Sequence, residues 1–390
     1  VPLDYIRQEG RNGRIGSQLM AIVAEGKNKR IYLPANVEHI RAAAISKPEN
    51  YPSGKLSGKC RVNVSLYGFD ETSDLFTNRQ LTALTTFSSL VAEAQKKTTE
   101  DAVKAGMRND YAELADGGSG ATAYGEAVGV YLAFTVDRQA DIGSSMASWI
   151  SSIGAVSHTF GRQAIPMVWD YAEANVFSNS SGCFGNMLGW VYKCVDNFPA
   201  GFSGFVKQYD AQSDNGLRNI MVSTDPPYYD NIDYADLSDF FYVWMRQSLK
   251  GTYPKLFRTM LVPKAEELVA TPYRFDGSVE KARDFFEDGM LNTCRQIYKY
   301  AREDVPVTIY YAYKQSESDK DETQTQTAST GWETMLSAII QAGFSITGTW
   351  PMRTERSVRT IAQGTNALAS SIVLVCRKRP DDAPICTRRD

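Results

Sequence analysis

The segment Asp225-Pro226-Pro227-Tyr228 is the feature that most constrains what this chain can fold into. It follows "LRNIMVS" (residues 217–223), an apolar run with the length of a strand. Proline removes a backbone donor and fixes its own φ, so two successive prolines end a strand and hold the next residues in one conformation. The sequence therefore predicts a strand that ends abruptly, with a carboxylate and a phenol beyond its carboxyl end.

Strand-like and helix-like segments alternate after residue 200. Residues 217–223, 306–314, 344–352 and 369–379 read as strands, and residues 279–302 and 329–343 read as helices. The second helix begins at Ser329 or Thr330 and stops at Gly343, and the polar run at 315–327 reads as a loop or a disordered excursion. This order predicts an α/β fold whose sheet is mostly parallel and ends in an antiparallel hairpin.

The first part of the chain is predicted to be mainly helical. Thr77 and Gln80 have the spacing of a capping box before an apolar stripe, and residues 123–141 and 184–197 are two further helix candidates. We therefore divide the chain into a helical region at 1–200, which we interpret as a target-recognition insertion, and a catalytic part at 201–390.

Composition excludes several classes of protein. No apolar run approaches the ~20 residues that span a bilayer, so we expect no membrane partner. The six cysteines are scattered and only two histidines accompany them, which indicates neither a disulfide framework nor a metal site and favours the cytoplasm. A net charge of -3 excludes a globally basic coat but leaves room for a local basic face. The first residues contain neither an initiator Met nor a signal core, as in a piece of a longer polypeptide.

The chemistry of the Asp225 segment suits an exocyclic amino group. Such a nitrogen is a poor nucleophile because its lone pair is delocalised into the ring, and acceptors aimed at its two hydrogens favour the pyramidal form. The Asp225 carboxylate and the Pro226 carbonyl would supply both acceptors, and Pro227 would keep that carbonyl in place. Tyr228 would offer a ring on which a flipped base regains about 1–3 kcal/mol by stacking.

These residues resemble a known family. Asp-Pro-Pro-Tyr after an apolar strand is the motif IV pattern of S-adenosylmethionine-dependent DNA amino-methyltransferases, and an Asp at the first position resembles the adenine-specific members. The strings "STDPPYYDNIDYADLSDFFYVWMRQSL", "PKAEELVATPYRF" and "GTNALASSIVLVCRKRP", with earlier segments such as "HTFGRQAIPMVWDYAEANVF", are similar to large bacterial and archaeal adenine-specific DNA methylases, some of them linked to phage defence. The resemblance implies a Rossmann-like sheet, S-adenosylmethionine as cofactor and DNA as substrate.

One element of the family pattern is missing. These enzymes bind the cofactor with a Gly-rich turn after the first strand, but the Gly-rich candidate here, "ADGGSGA", follows a helical, polar segment and reads as a helix connector. Asp225 is then the residue that we assign to the cofactor site. A further polypeptide or an upstream segment would have to carry the glycine motif.

Other residues are candidates for contact with nucleic acid. Tyr229 follows the motif and is assigned, with Tyr228, to the target base, whereas the aromatic stripe of residues 234–244 is assigned to the core. Arg353, Arg356 and Arg359 lie in a loop between the last two strands, where they either contact phosphates or are solvated. Asn366 either hydrogen-bonds a base or caps a turn.

Two other interpretations of the function remain open. The same amino-group site suits cytosine, RNA or a protein amide. The missing glycine turn also fits a catalytically inactive DNA-binding subunit of a defence complex. The principal prediction is methylation of the adenine amino group in DNA, in a restriction-modification or phage-defence setting.

Overall fold

The computed structural model describes the chain except for residues 28, 162, 200, 202–203, 231, 312–321, 354–369, 381 and 384–390, and except for the side chains of 322–330, 353 and 370. The chain forms two compact units. The first comprises Val1–Ser203 and Tyr234–Lys264, and the second comprises Gly204–Asp233 and Ala265–Asp390. Tyr234–Lys264 thus belongs to the first unit, although the predicted division places it in the catalytic part.

The described part of the first unit is mainly helical, with two short antiparallel hairpins. Its helices are α1 (Leu3–Arg11), α2 (Val37–Ala43), α3 (Gly58–Arg61), α4 (Asn78–Lys104), α5 (Ala121–Ile142), α6 (Phe184–Asp196) and α7 (Tyr234–Leu249). Its strands are β1 (Ala21–Glu25) paired with β2 (Arg30–Pro34), and β3 (Trp149–Ile150) paired with β4 (Ala155–Val156).

Helices α4, α5 and α7 pack on one another and build the core of the first unit. The predicted capping box is confirmed, because the Gln80 N–H donates to Thr77 Oγ1 while the Thr77 N–H donates to Gln80 Oε1. From α7, Phe240 and Trp244 are 1% and 0% exposed, so the aromatic stripe lies in the core as predicted.

The second unit contains a mixed four-stranded sheet and two helices in its described part. The elements are β5 (Ser223–Thr224), α8 (Val279–Tyr300), β6 (Val307–Tyr311), α9 (Glu322–Gln341), β7 (Phe344–Arg353) and β8 (Ser370–Lys378). The strand order is β5-β6-β8-β7, with β5 parallel to β6 and with β8 antiparallel to both β6 and β7.

The sheet confirms a mixed α/β class and the predicted terminal hairpin of β7 and β8. Three strands, β5, β6 and β7, run in one direction, because β6 and β7 are each antiparallel to β8. The strand pairing is nevertheless more antiparallel than expected. The reversed strand β8 lies between β6 and β7, so only the β5–β6 pair is parallel among the described strands.

Strand β5 is much shorter than the predicted run at 217–223. Asn219 has a left-handed φ of 57° and interrupts the extended chain, and Ile220 makes only an isolated parallel bridge to Ala301. The next parallel pair joins Ser223 to Thr308, so the chain advances three positions on one side and seven on the other. The extra residues before β6 prevent a continuous ladder.

Helix α8 supplies much of the core of the second unit. The helical spacing of Ala282, Phe285, Phe286, Met290, Cys294 and Ile297 predicts one apolar face. This face is confirmed, since Phe286, Met290, Cys294 and Ile297 are at most 4% exposed, whereas Phe285 is only partly buried. Helix α9 begins at Glu322 rather than at Ser329 or Thr330, so the predicted loop is helical over its last residues. It ends at Gln341, just before Gly343 with a φ of 99°.

In the described part of the chain, no helix is both long and apolar enough to cross a bilayer. Nor do His, Cys, Asp and Glu side chains of that part gather into a group able to hold a metal ion. The cysteines described, Cys60, Cys183, Cys194, Cys294 and Cys376, form no disulfide with one another.

Candidate functional site

The Asp-Pro-Pro-Tyr segment begins where strand β5 ends. Thr224 is the last residue of β5, and Asp225 follows it directly. Since β5 and β6 are parallel, the carboxyl ends of both strands lie at the same edge of the sheet. In open α/β sheets this edge is where ligands bind.

Asp225 is exposed, and its carboxylate has a local hydrogen-bond donor. The Tyr228 hydroxyl donates to Asp225 Oδ1 at 2.8 Å, across the two prolines between them. Pro226, Pro227 and Tyr228 are half-buried. Asp225 Oδ2 has no hydrogen-bond partner in the described part of the chain. One carboxylate oxygen is therefore oriented by the loop itself, while the other faces no competing donor from the described residues.

Tyr311, at the end of β6, holds the other side of Tyr228. The two rings meet edge to face with centroids 5.6 Å apart. Tyr311 is 2% exposed, its hydroxyl donates to the Gly331 carbonyl of α9 at 3.3 Å, and burial raises the pKa of this phenol. Sequence reasoning missed Tyr311. Its position at the carboxyl end of a strand parallel to β5 was the signal that pointed to it.

Tyr229 lies in the hydrophobic core, not on a surface that a base can reach. It is 9% exposed, meets Phe286 edge to face at 5.1 Å, and burial raises the pKa of its hydroxyl. Its φ of 41° is left-handed, a strained conformation for a bulky residue. A Cβ at Gly331 would approach Tyr229 Cβ to 3.0 Å, so a larger residue at this position of α9 would crowd Tyr229. The assignment of Tyr229 to the target base is corrected accordingly.

The segment 267–274 holds the chain that follows the motif. The Ala270 N–H donates to the Tyr229 carbonyl at 3.0 Å, and the Thr271 hydroxyl donates to Asp233 Oδ1 at 2.8 Å. The segment is itself closed by an ion pair between Arg274 and Glu267 at 2.7 Å, whose side chains are 11% and 13% exposed. The two hydrogen bonds to Tyr229 and Asp233 join residues about 40 positions apart, so no local sequence pattern predicted them.

The predicted phosphate-binding residues fall mostly outside the described chain. Arg353 is the last residue of β7 and pairs through its backbone with Ser370, at the same edge of the sheet as the end of β6. Its side chain, together with all of Arg356, Arg359 and Asn366, lies outside the described residues. Their contact with phosphate or base stays a prediction.

The Gly-rich segment is a helix connector, as its sequence context indicates. It joins a 3-10 helix (Leu114–Asp116) to α5, with Gly117 at a φ of 83°. A Cβ at Gly118 would lie 2.2 Å from the Ala112 carbonyl oxygen. Asp110 accepts hydrogen bonds from the Ser119 and Ala112 N–H groups, which lower the pKa of its carboxyl. The glycines thus serve a tight loop, and they do not fit the cradle of a cofactor that binds after a strand.

No family model matches the chain, and neither the curated proteins nor the solved structures give a match. The function of the chain is therefore inferred from the chemistry and geometry of its own residues.

Proposed function

We propose that the chain is the catalytic part of a Rossmann-like, S-adenosylmethionine-dependent methyltransferase that acts on the exocyclic amino group of adenine in DNA. The observation that carries the proposal is the exposed Asp225 carboxylate at the carboxyl end of β5, fixed by Tyr228 across two prolines. The terminal β7–β8 hairpin supports the same type of sheet. A role in restriction-modification or phage defence is part of the proposal.

In this mechanism the protein positions a flipped base and draws its amino hydrogens toward two acceptors. Asp225 Oδ2 would accept one N–H, and the Pro226 carbonyl would accept the other. The ring of Tyr228, held by Tyr311, would support the base. S-adenosylmethionine would supply the electrophilic methyl group. Because the acceptors are oriented before the substrate binds, little reorganisation is needed in the transition state.

The edge position of β5 supports the involvement of a further segment or subunit. Among the described strands β5 pairs only with β6, and it stands at the end of the sheet although it carries the proposed catalytic residue. An unpaired parallel edge offers backbone groups to another strand. We propose that a further polypeptide or segment extends the sheet there and carries the cofactor-binding turn that the Gly-rich connector does not provide.

Substitution of Asp225 tests the proposal. Because Asp225 is exposed, Asp225→Ala should leave the protein folded and abolish formation of methylated adenine by the intact protein. Asp225→Asn keeps one acceptor oxygen and should retain measurable activity. Mass spectrometry of nucleosides from treated DNA separates methylated adenine from methylated cytosine, and parallel digests of RNA and protein test the other amides. Full activity of Asp225→Ala would reject the assignment.

A second function, that of a catalytically inactive DNA-binding subunit, is favoured by the role of Gly117 and Gly118 in a helix connector. Calorimetry discriminates between the two. Binding of S-adenosylmethionine by the intact protein supports the enzyme, and DNA binding without cofactor binding supports the scaffold.

A further inference from the structure

The first unit contains a cavity of about 200 Å³ beside α5 and α6. Its apolar lining comes from Ile142, Val156 and Met187, which are 5%, 8% and 5% exposed. Its polar lining comes from Arg138, Asp141, His158 and Ser181. A cavity of this size suits one planar ring system rather than an extended dinucleotide.

Trp190 lies at the same cavity and is an exposed aromatic platform. Its side chain is 54% exposed on α6. Two cations approach its ring: Lys193 Nζ is 4.9 Å and Arg138 Cζ is 6.0 Å from a ring centroid. A cation near an indole ring is attracted by the ring's quadrupole, so the three side chains form one cluster.

Neither cation of this cluster is neutralised by the described part of the protein. No carboxylate lies within ion-pairing distance of Arg138 or Lys193 there, whereas Arg7, Arg11, Arg14 and Arg79 of the same unit each have an acidic partner. Two positive charges beside an exposed indole are left available to an anion. Their pairing with an aromatic ring is the combination that binds the phosphates and bases of a nucleic-acid strand.

His158 adds a polar group to the same cavity. Its Nδ1 lies 2.5 Å from Asp141 Oδ2, and Asp141 Oδ1 accepts from the Phe160 N–H at 3.2 Å. The carboxylate of Asp141 is therefore occupied by protein donors. Since Nδ1–H points to Asp141, Nε2 is the nitrogen of His158 that remains for a ligand.

We infer that this cavity binds one nucleotide unit of a nucleic-acid strand, with its base against Trp190 and its phosphates at Arg138 and Lys193. The site is on the first unit and is separate from Asp225. It would give the helical region a direct part in holding nucleic acid. The inference does not depend on methylation, because binding is measured without cofactor.

The test uses the 390-residue chain and a fluorescein-labelled single-stranded oligodeoxynucleotide, with anisotropy measured from 50 to 200 mM salt. Trp190→Ala should weaken binding about 10-fold, since base stacking on an aromatic contributes roughly that factor or more. Arg138→Gln with Lys193→Gln should weaken binding and lower the slope of log affinity against log salt by about 1.4, at ~0.7 per phosphate contact.

Matched variants control for the loss of an exposed ring or of charge. Trp169 is 59% exposed in the same unit, so Trp169→Ala removes a comparable indole elsewhere. Lys96→Gln with Lys250→Gln removes two exposed lysines away from the cavity. Circular dichroism verifies that all variants are folded. Equal affinities for the Trp190 and Trp169 variants would overturn the inference.

Two further measurements are needed. One distinguishes a free nucleotide from a nucleic-acid strand as the ligand of the cavity, and the other distinguishes this inference from the proposed methyltransferase function. A nucleoside monophosphate that binds as tightly as the oligonucleotide would assign the cavity to free nucleotides and reject the nucleic-acid strand. Loss of methylation in Asp225→Ala with unchanged oligonucleotide affinity in Trp190→Ala would leave the proposed function standing and refute this site. Weaker oligonucleotide affinity in Trp190→Ala with full methylation by Asp225→Ala would support this site and reject the proposed function.

Discussion

The hydroxyl of Tyr228 donates a 2.8 Å hydrogen bond to Oδ1 of Asp225, three residues earlier in the chain. The two intervening prolines have restricted φ angles, so the bond closes a short, stiff loop. The orientation of the carboxylate is thereby set by the protein rather than by the substrate. We therefore expect the phenolic oxygen of Tyr228 to contribute to the methylation rate separately from its ring.

Tyr228→Phe isolates that oxygen. The ring remains against Tyr311, but Asp225 loses a donor, and a hydrogen bond to a charged group contributes roughly 1.5–3 kcal/mol. We expect methylation by the intact protein to slow by about 10-fold or more, since 1.4 kcal/mol corresponds to about a factor of ten. Tyr228→Ala should slow it further because the base loses its support. An unchanged rate for Tyr228→Phe would show that only the ring contributes.

Substitutions of Tyr229 should affect stability rather than nucleic-acid affinity. Tyr229→Ala leaves a cavity beside Phe286 and should lower the free energy of unfolding by about 3–5 kcal/mol, whereas Tyr229→Phe preserves the packing and should have little effect. Urea unfolding measures the first quantity, and oligonucleotide anisotropy measures the affinity. Weaker binding with unchanged stability would restore Tyr229 as a base contact.

The ion pair of Glu267 and Arg274 should stabilise the loop that follows the motif. Glu267→Ala leaves a mostly buried guanidinium without this partner, which typically costs about 3–5 kcal/mol. Activity should fall as well, because Ala270 and Thr271 lie between the two residues and hold the loop. The matched control is Asp304→Ala, which breaks an exposed ion pair with Arg302 and should change the free energy of unfolding little. Equal effects of the two substitutions would contradict the role of burial.

Because the thiol of Cys294 is buried, we expect the free energy of unfolding to fall at alkaline pH. Burial, with Cys376 nearby, raises the pKa of Cys294 from 9.0 to about 12. Above pH 9 the unfolded thiol ionises while the folded thiol stays protonated, so the free energy of unfolding falls as pH rises from 9 toward 12, by up to ~1.4 kcal/mol per pH unit. Urea unfolding of Cys294→Ala should show a shallower decline than that of Cys194→Ala, which alters an exposed thiol. Parallel pH profiles would refute this.

Local patterns predicted local structure well. The capping box of Thr77 and Gln80 and the buried face of α8 depend on residues three or four positions apart, and both were read from the sequence. The short length of β5 was not predicted from the sequence. It depends on the left-handed Asn219 and on the unequal chain lengths between the Ile220–Ala301 and Ser223–Thr308 pairs, and this pairing involves a distant segment. The early start of α9 at Glu322 was missed because polar Glu and Gln residues, which also favour helices, suggested a loop.

In the candidate site, too, the sequence predicted the residues of the local motif but not the distant residues that contact it. Asp225 and the two prolines were found from their order in the chain, since their chemistry is local. Tyr311 and the segment around Ala270 come from distant parts of the sequence, so their contacts with the motif and with the chain after it follow only from tertiary structure. Tyr229 was misassigned for a related reason. Its neighbour Tyr228 shares its chemistry, but the backbone turn between them sends one ring into the core and leaves the other half-buried.

The path of the chain limits how this protein can be dissected. It passes from one unit to the other at 203/204, returns at 233/234 and leaves again at 264/265. A fragment that stops at residue 203 would lack α7 and would open the space that Phe240 and Trp244 fill. Neither unit is therefore encoded by one uninterrupted stretch, and a single proteolytic cut at any one of these junctions leaves the two still covalently linked.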